Sequence, residues 1–489
     1  MSYAMLITMV LCFALTISVA VSIGLASIVG IKISNANMLI SVKEMFSAIN
    51  KFPLAAIPFF ILAGNIMETG GISRRLVDFA KSIVGGVQGG LPMTCVLTCM
   101  IFAAVSGSSV ATTFAIGAIL IPALIKHNYP REWAAALQAT SAELGVIIPP
   151  SIPMILYGVS AEVSIGELFI AGFGPGLLIG GALMLYVYVT CKRKGWGKND
   201  GDGRLPFVTA LLDMAVIAIG VGLLLVGNKV IGPMLVGGDA SEGRHDRLTD
   251  LFGIGLFAAY FVALSIIPKV RAALHGRAAY ALMMPVIILG GIYGGVFTPT
   301  EASAVAVIYA LFVGMVVYGE IRLSDLAPIF KKSVVSSSVI MFIIANAGLF
   351  AFLITRAGVP DAIGQFLKEV LQNPFLFLLG VNAALFLIGM FIETSAAIIV
   401  LAPILAPVAV YFGIDPVHFG IIMVVNLALG MITPPFGVNL FAACTVARIS
   451  LDRIITRLVP FVLVVLACLM IVTYVPSISL GLRDLVYAK

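Results

Sequence analysis

Apolar residues in this chain run unbroken for long distances, where a strand would alternate and a soluble helix would show a one-sided stripe. Each run of about 20 residues can cross roughly 30 Å of hydrocarbon, and the chain offers on the order of a dozen such stretches or half-stretches. The pattern predicts an all-α polytopic membrane protein, since a β-barrel would show alternating segments of about ten residues. The first run, Met5 to Ile31, is predicted to be a single span. No positive charge precedes it and Lys32, Lys43 and Lys51 follow, which puts the N-terminus outside and speaks against a signal peptide.

The polar interruptions organise the rest. The longest basic one, Lys192 to Arg204, marks a cytoplasmic link, and Pro268 to Arg277 is basic too. The apolar stretches between them must therefore cross and return as an inserted pair of spans around GGDASEGRHDRLTD. A third basic site is Lys331 with Lys332. Residues 143–157 read ELGVIIPPSIPMILY and residues 428–442 read ALGMITPPFGVNLFA, the same Leu-Gly-x-Ile-x-Pro-Pro pattern 285 positions apart. In a membrane helix, Gly and Pro-Pro free backbone groups that lipid cannot satisfy, so such a break survives only where protein encloses a polar site. Upstream of the breaks come Pro122 and Pro130 in one half, and Pro407 and Pro416 in the other. Further upstream, SGSSVATT (Ser106 to Thr113) and ETSA (Glu393 to Ala396) interrupt apolar runs too deeply to be loop ends, and each predicts a hairpin tip or unwound helix. Earlier still, FFILAGNIMETGGIS (Phe59 to Ser73) resembles FIIANAGLFAFLITRAGVP (Phe342 to Pro360).

This duplication divides the chain into a first span and scaffold arm (1–52), a first repeat with transport elements (53–190) and a cytoplasmic linker (191–204). The inserted pair of spans (205–277), scaffold spans of the second half (278–335) and a second repeat with transport elements (336–489) follow. Charge alone does not say whether the halves are inverted or parallel, but duplication with broken helices favours inversion.

Composition narrows the function classes. With 61% hydrophobic and 11% charged residues, a single soluble fold of 489 residues is excluded. The net charge of +6 is mostly Lys and Arg at loop ends, without a nucleic-acid signature. Cys12, Cys95, Cys99, Cys191, Cys444 and Cys468 form no CxxC pair and lie beside no His, so metal and disulfide roles are not expected. His127, His245, His275 and His418 fall near loop ends, away from any nucleophile that would make a catalytic set, and no GxxxxGK[ST] loop marks an ATP-driven pump. The protein is not expected to be an enzyme.

The breaks carry the candidate chemistry. Na⁺ wants five or six hard oxygens, which unwound carbonyls beside Ser and Thr hydroxyls supply without burying a net negative charge. Ser106, Ser109, Gly145, Ile148 and Pro150 could form one cage, and Thr394, Gly430, Thr433 and Pro435 a second. The bland alternative is that these hydroxyls only bond helix carbonyls and the prolines only kink helices. Half-helix N-termini favour an anion. Arg356, read as lying deep in the second half, could grip a carboxylate bidentately, or else snorkel to a membrane face. Glu143, Glu301 and Glu393 are intramembrane acids that leave proton coupling open, although Glu301 in FTPTEAS reads better as a helix cap.

AIPFFILAGN, AAVSGSSVATT, LGVIIPPSIPMILYG, LFIAGFGPGLL, GGIYGGVFTPTEASAVAVIYAL and IDPVHFGIIMVVN together resemble the large membrane (M) subunit of the tripartite ATP-independent periplasmic (TRAP) transporters. The resemblance covers nearly the whole chain outside Leu205 to Arg277, with wording nearest the C4-dicarboxylate type. It implies an inverted-repeat, ion-transporter-like elevator fold with re-entrant hairpins and broken helices in a bacterial inner membrane. It also implies a sodium-driven importer that works with a small four-helix membrane subunit and a periplasmic substrate-binding protein delivering an organic acid anion. By the same resemblance Ser106, Ser109, Gly145, Ile148 and Pro150 fall in the first sodium site, and Gly430, Thr433 and Pro435 in the second. Ser108, Thr112, Ser151 and Arg356 fall where sialic-acid members place substrate-facing groups. Those members have Asp in place of Thr112, and dicarboxylate members commonly lack an Arg at position 356, so the substrate is open among dicarboxylates, sugar acids and sulfonates. The extra spans would pack against the small subunit or lipid. A proton-coupled transporter, or a passive channel without a binding protein, is the alternative.

Overall fold

A computed structural model describes residues 2–15, 17–34, 37–198, 211, 213–220, 259–260, 278–371, 373–435 and 437–487. The predicted inserted spans, 205–277, fall almost wholly outside the described residues. The described elements are helical. Helices α1 (Ser2–Ala14), α2 (Val19–Ile33) and α3 (Leu39–Ile49) lead into a 3-10 turn, Phe52–Ala55, and α4 (Ala56–Thr69). The first repeat continues as α5 (Ile72–Val84), α6 (Gly90–Ser106), α7 (Ser109–Lys126), α8 (Arg131–Ala142), α9 (Leu144–Ile147), α10 (Ile152–Ser160) and α11 (Ile165–Lys194). After the insertion come α12 (Ala279–Tyr293), α13 (Pro299–Leu311, prolonged by a π-helical segment), α14 (Leu323–Arg356) and α15 (Val359–Leu371). The chain closes with α16 (Pro374–Gly389), α17 (Thr394–Tyr411), α18 (Pro416–Met431), α19 (Val438–Ala447), α20 (Leu451–Tyr474) and α21 (Ser477–Tyr487). Seven described helices are long and apolar enough to cross a membrane, and α8–α9 with α10 forms a further pair bent by 42° at the Pro-Pro break.

Local chemistry sets the helix starts. Ser164 accepts the Glu167 N–H, Asn373 the Phe375 N–H, and Asp415 the N–H groups of Val417 and His418. Thr298 and Glu301 form a reciprocal capping box ahead of α13, so Glu301 is the helix cap its surroundings suggested.

The expected single span from Met5 to Ile31 is a correction to the sequence reading. Its residues form two short helices that pack on each other, α1 ending at Ala14 and α2 starting at Val19. No Gly or Pro punctuates the sequence between them, so hydropathy sums the two helices into one. α2 runs alongside α14, with Gly24 against Asn346 and Gly30 against Leu353 and Met5. The N-terminus and Lys32 therefore share the Arg356 end of α14, and Lys32 is not a cytoplasmic marker behind a span.

Positions 285 apart match in detail. Asn128 and Gly413 both take the left-handed conformation, at φ 63° and 75°. Tyr129 N–H returns to the Leu124 carbonyl at 3.1 Å, as Ile414 N–H does to the Ala409 carbonyl at 3.1 Å. Both Pro149–Pro150 and Pro434–Pro435 are cis. The repeats also exchange elements: α10 packs on α17 and α18 of the second, while α19 packs on α7 and α8 of the first.

One helix fixes their relative direction. α11 has 30 residues, a length of about 45 Å at roughly 1.5 Å per residue. At its start, Glu167 lies 3.8 Å from Arg483, which also binds Asp415 at 2.8 Å. Just past its end, Trp196 packs edge-on against Tyr129 at 6.1 Å and Trp133 at 5.5 Å. The loops after α7 and α17, equivalent in the duplication, thus sit at opposite ends of one membrane-length helix, and the repeats are inverted. Hairpin α6–α7 enters from the Lys192 end and α16–α17 from the Glu167 end, each with its tip at mid-depth.

Candidate functional site

Each hairpin tip meets the break of its own repeat. In the first, Gly107 turns the chain between α6 and α7 at φ 62°, and its carbonyl accepts the Ile152 N–H at 3.4 Å. A Cβ there would sit 2.9 Å from the Pro150 carbonyl oxygen, a close approach that only glycine permits. The Ser106 hydroxyl lies 3.1 Å from the Thr112 hydroxyl, and Thr112 in turn donates to the Ser108 carbonyl at 2.8 Å. Gly145 faces this group, since a Cβ on it would meet Thr112 Oγ1 at 2.8 Å and Ser108 O at 2.9 Å. Ile148 is extended after the one-turn α9, and Ser109 is buried at the start of α7. Hydroxyl and carbonyl oxygens therefore converge where Ser106, Gly145 and Pro150 were expected to meet, and this donor set suits a hard monovalent cation.

The second break is built likewise but with its hydroxyls turned. Gly389, at the tip of α16, abuts Gly430 backbone to backbone. Thr394 is fully buried with its hydroxyl 2.9 Å from the Met431 sulfur, and Thr433 donates to the Leu429 carbonyl at 2.9 Å. The Thr433 N–H reaches the Gly430 carbonyl at 2.9 Å, while Pro435 is exposed. Thr394, Gly430 and Thr433 are thus together, each hydroxyl spent inside the protein. Glu393 accepts the Ala396 N–H at 3.2 Å and the Ser395 hydroxyl at 2.9 Å, the helix-end role that serves as the plainer account of an intramembrane acid.

Three of the residues expected to hold substrate, Ser108, Thr112 and Ser151, meet at the first hairpin tip and break, whereas Arg356 lies apart from them. Thr112 belongs to the first cage, and buried Ser151 caps α10 while donating to the Val146 carbonyl at 2.6 Å. Ser108 caps α7. Arg356 is exposed at the last turn of α14, so the expectation of a buried guanidinium does not hold. It lines a cavity of about 510 Å³ between α3 and α14 on one side and α10 and α17 on the other, shared with Lys51, Glu44 and Glu162. Lys51 bridges the two sides by donating to the Val159 carbonyl at 3.3 Å.

Sequence reasoning missed the seam between the repeats. Asn439, just past the second break, donates to Glu143, just before the first, and receives the Thr113 hydroxyl at 3.4 Å. The second Glu143 oxygen is buried with no hydrogen-bond partner. The acid was visible as an intramembrane carboxylate; its partner, 296 positions away, left no local signal.

With this geometry in place, comparison with known proteins is specific. The sequence profile described as "Tripartite ATP-independent periplasmic transporter, DctM component" matches residues 6–478. The C4-dicarboxylate TRAP transporter large permease protein DctM of Pseudomonas aeruginosa is 39% identical over 441 residues, 90% of this chain and 88% of that protein. The isethionate TRAP transporter permease protein DctMQ of Oleidesulfovibrio alaskensis is 37% identical over 95% of this chain and 63% of that longer protein. Among solved structures, the YdaH transporter of Alcanivorax borkumensis superposes with a TM-score of 0.58 at 14% identity, over 90% of this chain and 88% of that one, which establishes the fold. The chain is a multi-pass inner-membrane protein and belongs to the DctM family of TRAP transporter large permeases.

Proposed function

We propose that this protein is the membrane permease of a binding-protein-dependent system that imports an organic acid anion, driven by sodium and working by an elevator motion. The observation that carries the reading is the pair of inverted breaks, each closed by a hairpin tip, the first of them lined by hydroxyl and carbonyl oxygens. Ser106, Ser109, Gly145, Ile148 and Pro150 would hold one Na⁺, and Thr394, Gly430, Thr433 and Pro435 a second. Bound there, the ions contribute positive charge and the energy of the sodium gradient. The chain itself supplies Arg356 and Lys51, two cations in the cavity between α3–α14 and α10–α17. That cavity adjoins the Glu167 end of α11, opposite the basic end, so it faces the side from which a periplasmic protein would deliver substrate. Sliding α10 and α17 past α14 would carry a bound anion across. The names of the P. aeruginosa and O. alaskensis relatives support an organic acid and the company of a binding protein and a small membrane subunit.

The test is uptake into proteoliposomes that contain the permease with its small subunit. Accumulation should require both an inward Na⁺ gradient and the binding protein, and Thr433→Val should raise the half-saturating Na⁺ concentration by about three- to tenfold, the loss of one ~1 kcal/mol oxygen contact. Uptake that is indifferent to Na⁺ and to the binding protein would mean a passive channel instead.

A further inference from the structure

The cavity between α3–α14 and α10–α17, the seam cavity, holds both signs of charge, which a receptor built simply for dicarboxylates would not. Arg356 and Lys51 are its cations, Glu44 and Glu162 its carboxylates, and Ser160 and Thr355 add hydroxyls. Glu44 comes from α3 on one wall, while Glu162 comes from the turn after α10 on the other, where it is exposed and has a φ of 57°. The charges cancel, so the lining offers no surplus for a dianion.

We infer that Glu44 and Glu162 make this cavity selective for a polyhydroxylated monocarboxylate, such as a sugar acid, over a dicarboxylate. The inference rests on the reading of the cavity as the substrate entrance. An ionised carboxylate is acceptor-only, so it bonds a ligand hydroxyl but can only repel a second ligand carboxylate. Lys51 already bonds the Val159 carbonyl, so one acid group on Arg356 with hydroxyls donated to Glu44 and Glu162 gives each charged wall group a partner. A dicarboxylate leaves both glutamates unpaired beside its own charge. A volume of about 510 Å³ falls within the usual range for small-molecule sites, roughly 300–1,000 Å³.

The probes are D-gluconate and succinate, titrated calorimetrically into the full chain purified with its small subunit in sodium buffer. Gluconate should bind at least tenfold more tightly than succinate. In the doubly substituted protein, Glu44→Gln with Glu162→Gln, succinate should gain about tenfold while gluconate gains nothing. Both positions lie at the cavity surface, and an unchanged gel-filtration profile confirms folding. Tighter binding of succinate by the unaltered protein, an unchanged preference in the variant, or no binding of either acid would each overturn the inference. Sodium-dependent uptake of a dicarboxylate in the proteoliposome assay would then leave the importer reading standing, whereas uptake of no organic acid at all would remove both.

Discussion

Arg356 changes its meaning once its surroundings are known. Its side chain is exposed at the C-terminal turn of α14, where a cation complements the helix dipole, and it faces the seam cavity. Its importance therefore comes from the planar fork it offers an arriving carboxylate, while desolvation contributes little. Arg356→Ala should weaken substrate by about 10- to 100-fold, the equivalent of ~1.5–3 kcal/mol for a charged hydrogen bond, with Arg356→Lys in between because it keeps charge but loses the fork. Initial uptake rates across a substrate series measure this, and equal half-saturation for all three proteins would remove Arg356 from the binding role. The sequence displayed the residue types at this scale but not their company. Thr112 and Ser151 were legible as polar groups in apolar runs; that their hydroxyls turn to Ser108 and Val146 carbonyls depends on contacts made only on folding.

Helices that cross where a glycine replaces a side chain set the geometry of the breaks. Without a hydrophobic drive between helices in lipid, close backbone approach through small residues supplies the packing, and Gly389 against Gly430 is such an approach. Gly430→Ala would push a methyl group into the Gly389 backbone and should cost about 1–3 kcal/mol, whereas Gly380→Ala on the open face of α16 should be neutral or mildly stabilising. Thermal unfolding in nanodiscs separates the two, and equal midpoints would show that the crossing relaxes freely. The sequence announced this break through Pro-Pro, yet gave no sign of Gly389, 41 positions earlier, because only the fold makes them neighbours. The split of α1 from α2 was hidden for a related reason, an apolar run without punctuation.

A second element-level test concerns the clasp between α18 and α21. Burial alone would raise the Asp415 carboxyl, but the Arg483 guanidinium at 2.8 Å and the N–H groups of His418 and Val417 hold it below its ordinary value. A depressed carboxylate contributes stability that is present above its unfolded value of about 3.9 and is lost as pH falls through the folded one. The side chain is 32% exposed, so the contribution is small and screened by salt. The melting advantage of the native protein over Asp415→Asn should hold at pH 6 and fade below about pH 4. An advantage independent of pH would assign it to the helix cap rather than the ion pair.

For the whole molecule, inversion and charge asymmetry meet in one prediction. Lys126 and Arg131 flank the loop after α7, Lys192, Arg193 and Lys194 end α11, and Lys331 and Lys332 lie near the start of α14. The opposite end is close to charge balance, with Glu44, Glu162, Glu167, Asp415 and Asp484 set against Lys32, Lys51, Arg356 and Arg483, the last engaged by Asp415 and Asp484. Because positive charge stays inside, we expect the Lys192 end to be cytoplasmic, with the N-terminus and the cavity lined by Arg356 outside. The sequence reading reached the same side for the N-terminus through Lys32 and Lys51, whereas those residues lie at the outer end with Arg356 and Val159. The two expectations rest on different residues, since a count of lysines cannot tell a span from a hairpin. The equivalent turn positions Asn128 and Gly413 provide the decisive comparison. With single cysteines placed there in a background free of native cysteine, an impermeant maleimide added to whole spheroplasts should modify position 413 and spare position 128 until the membrane is broken. Modification of both from outside would mean parallel repeats, contrary to their placement at the two ends of α11.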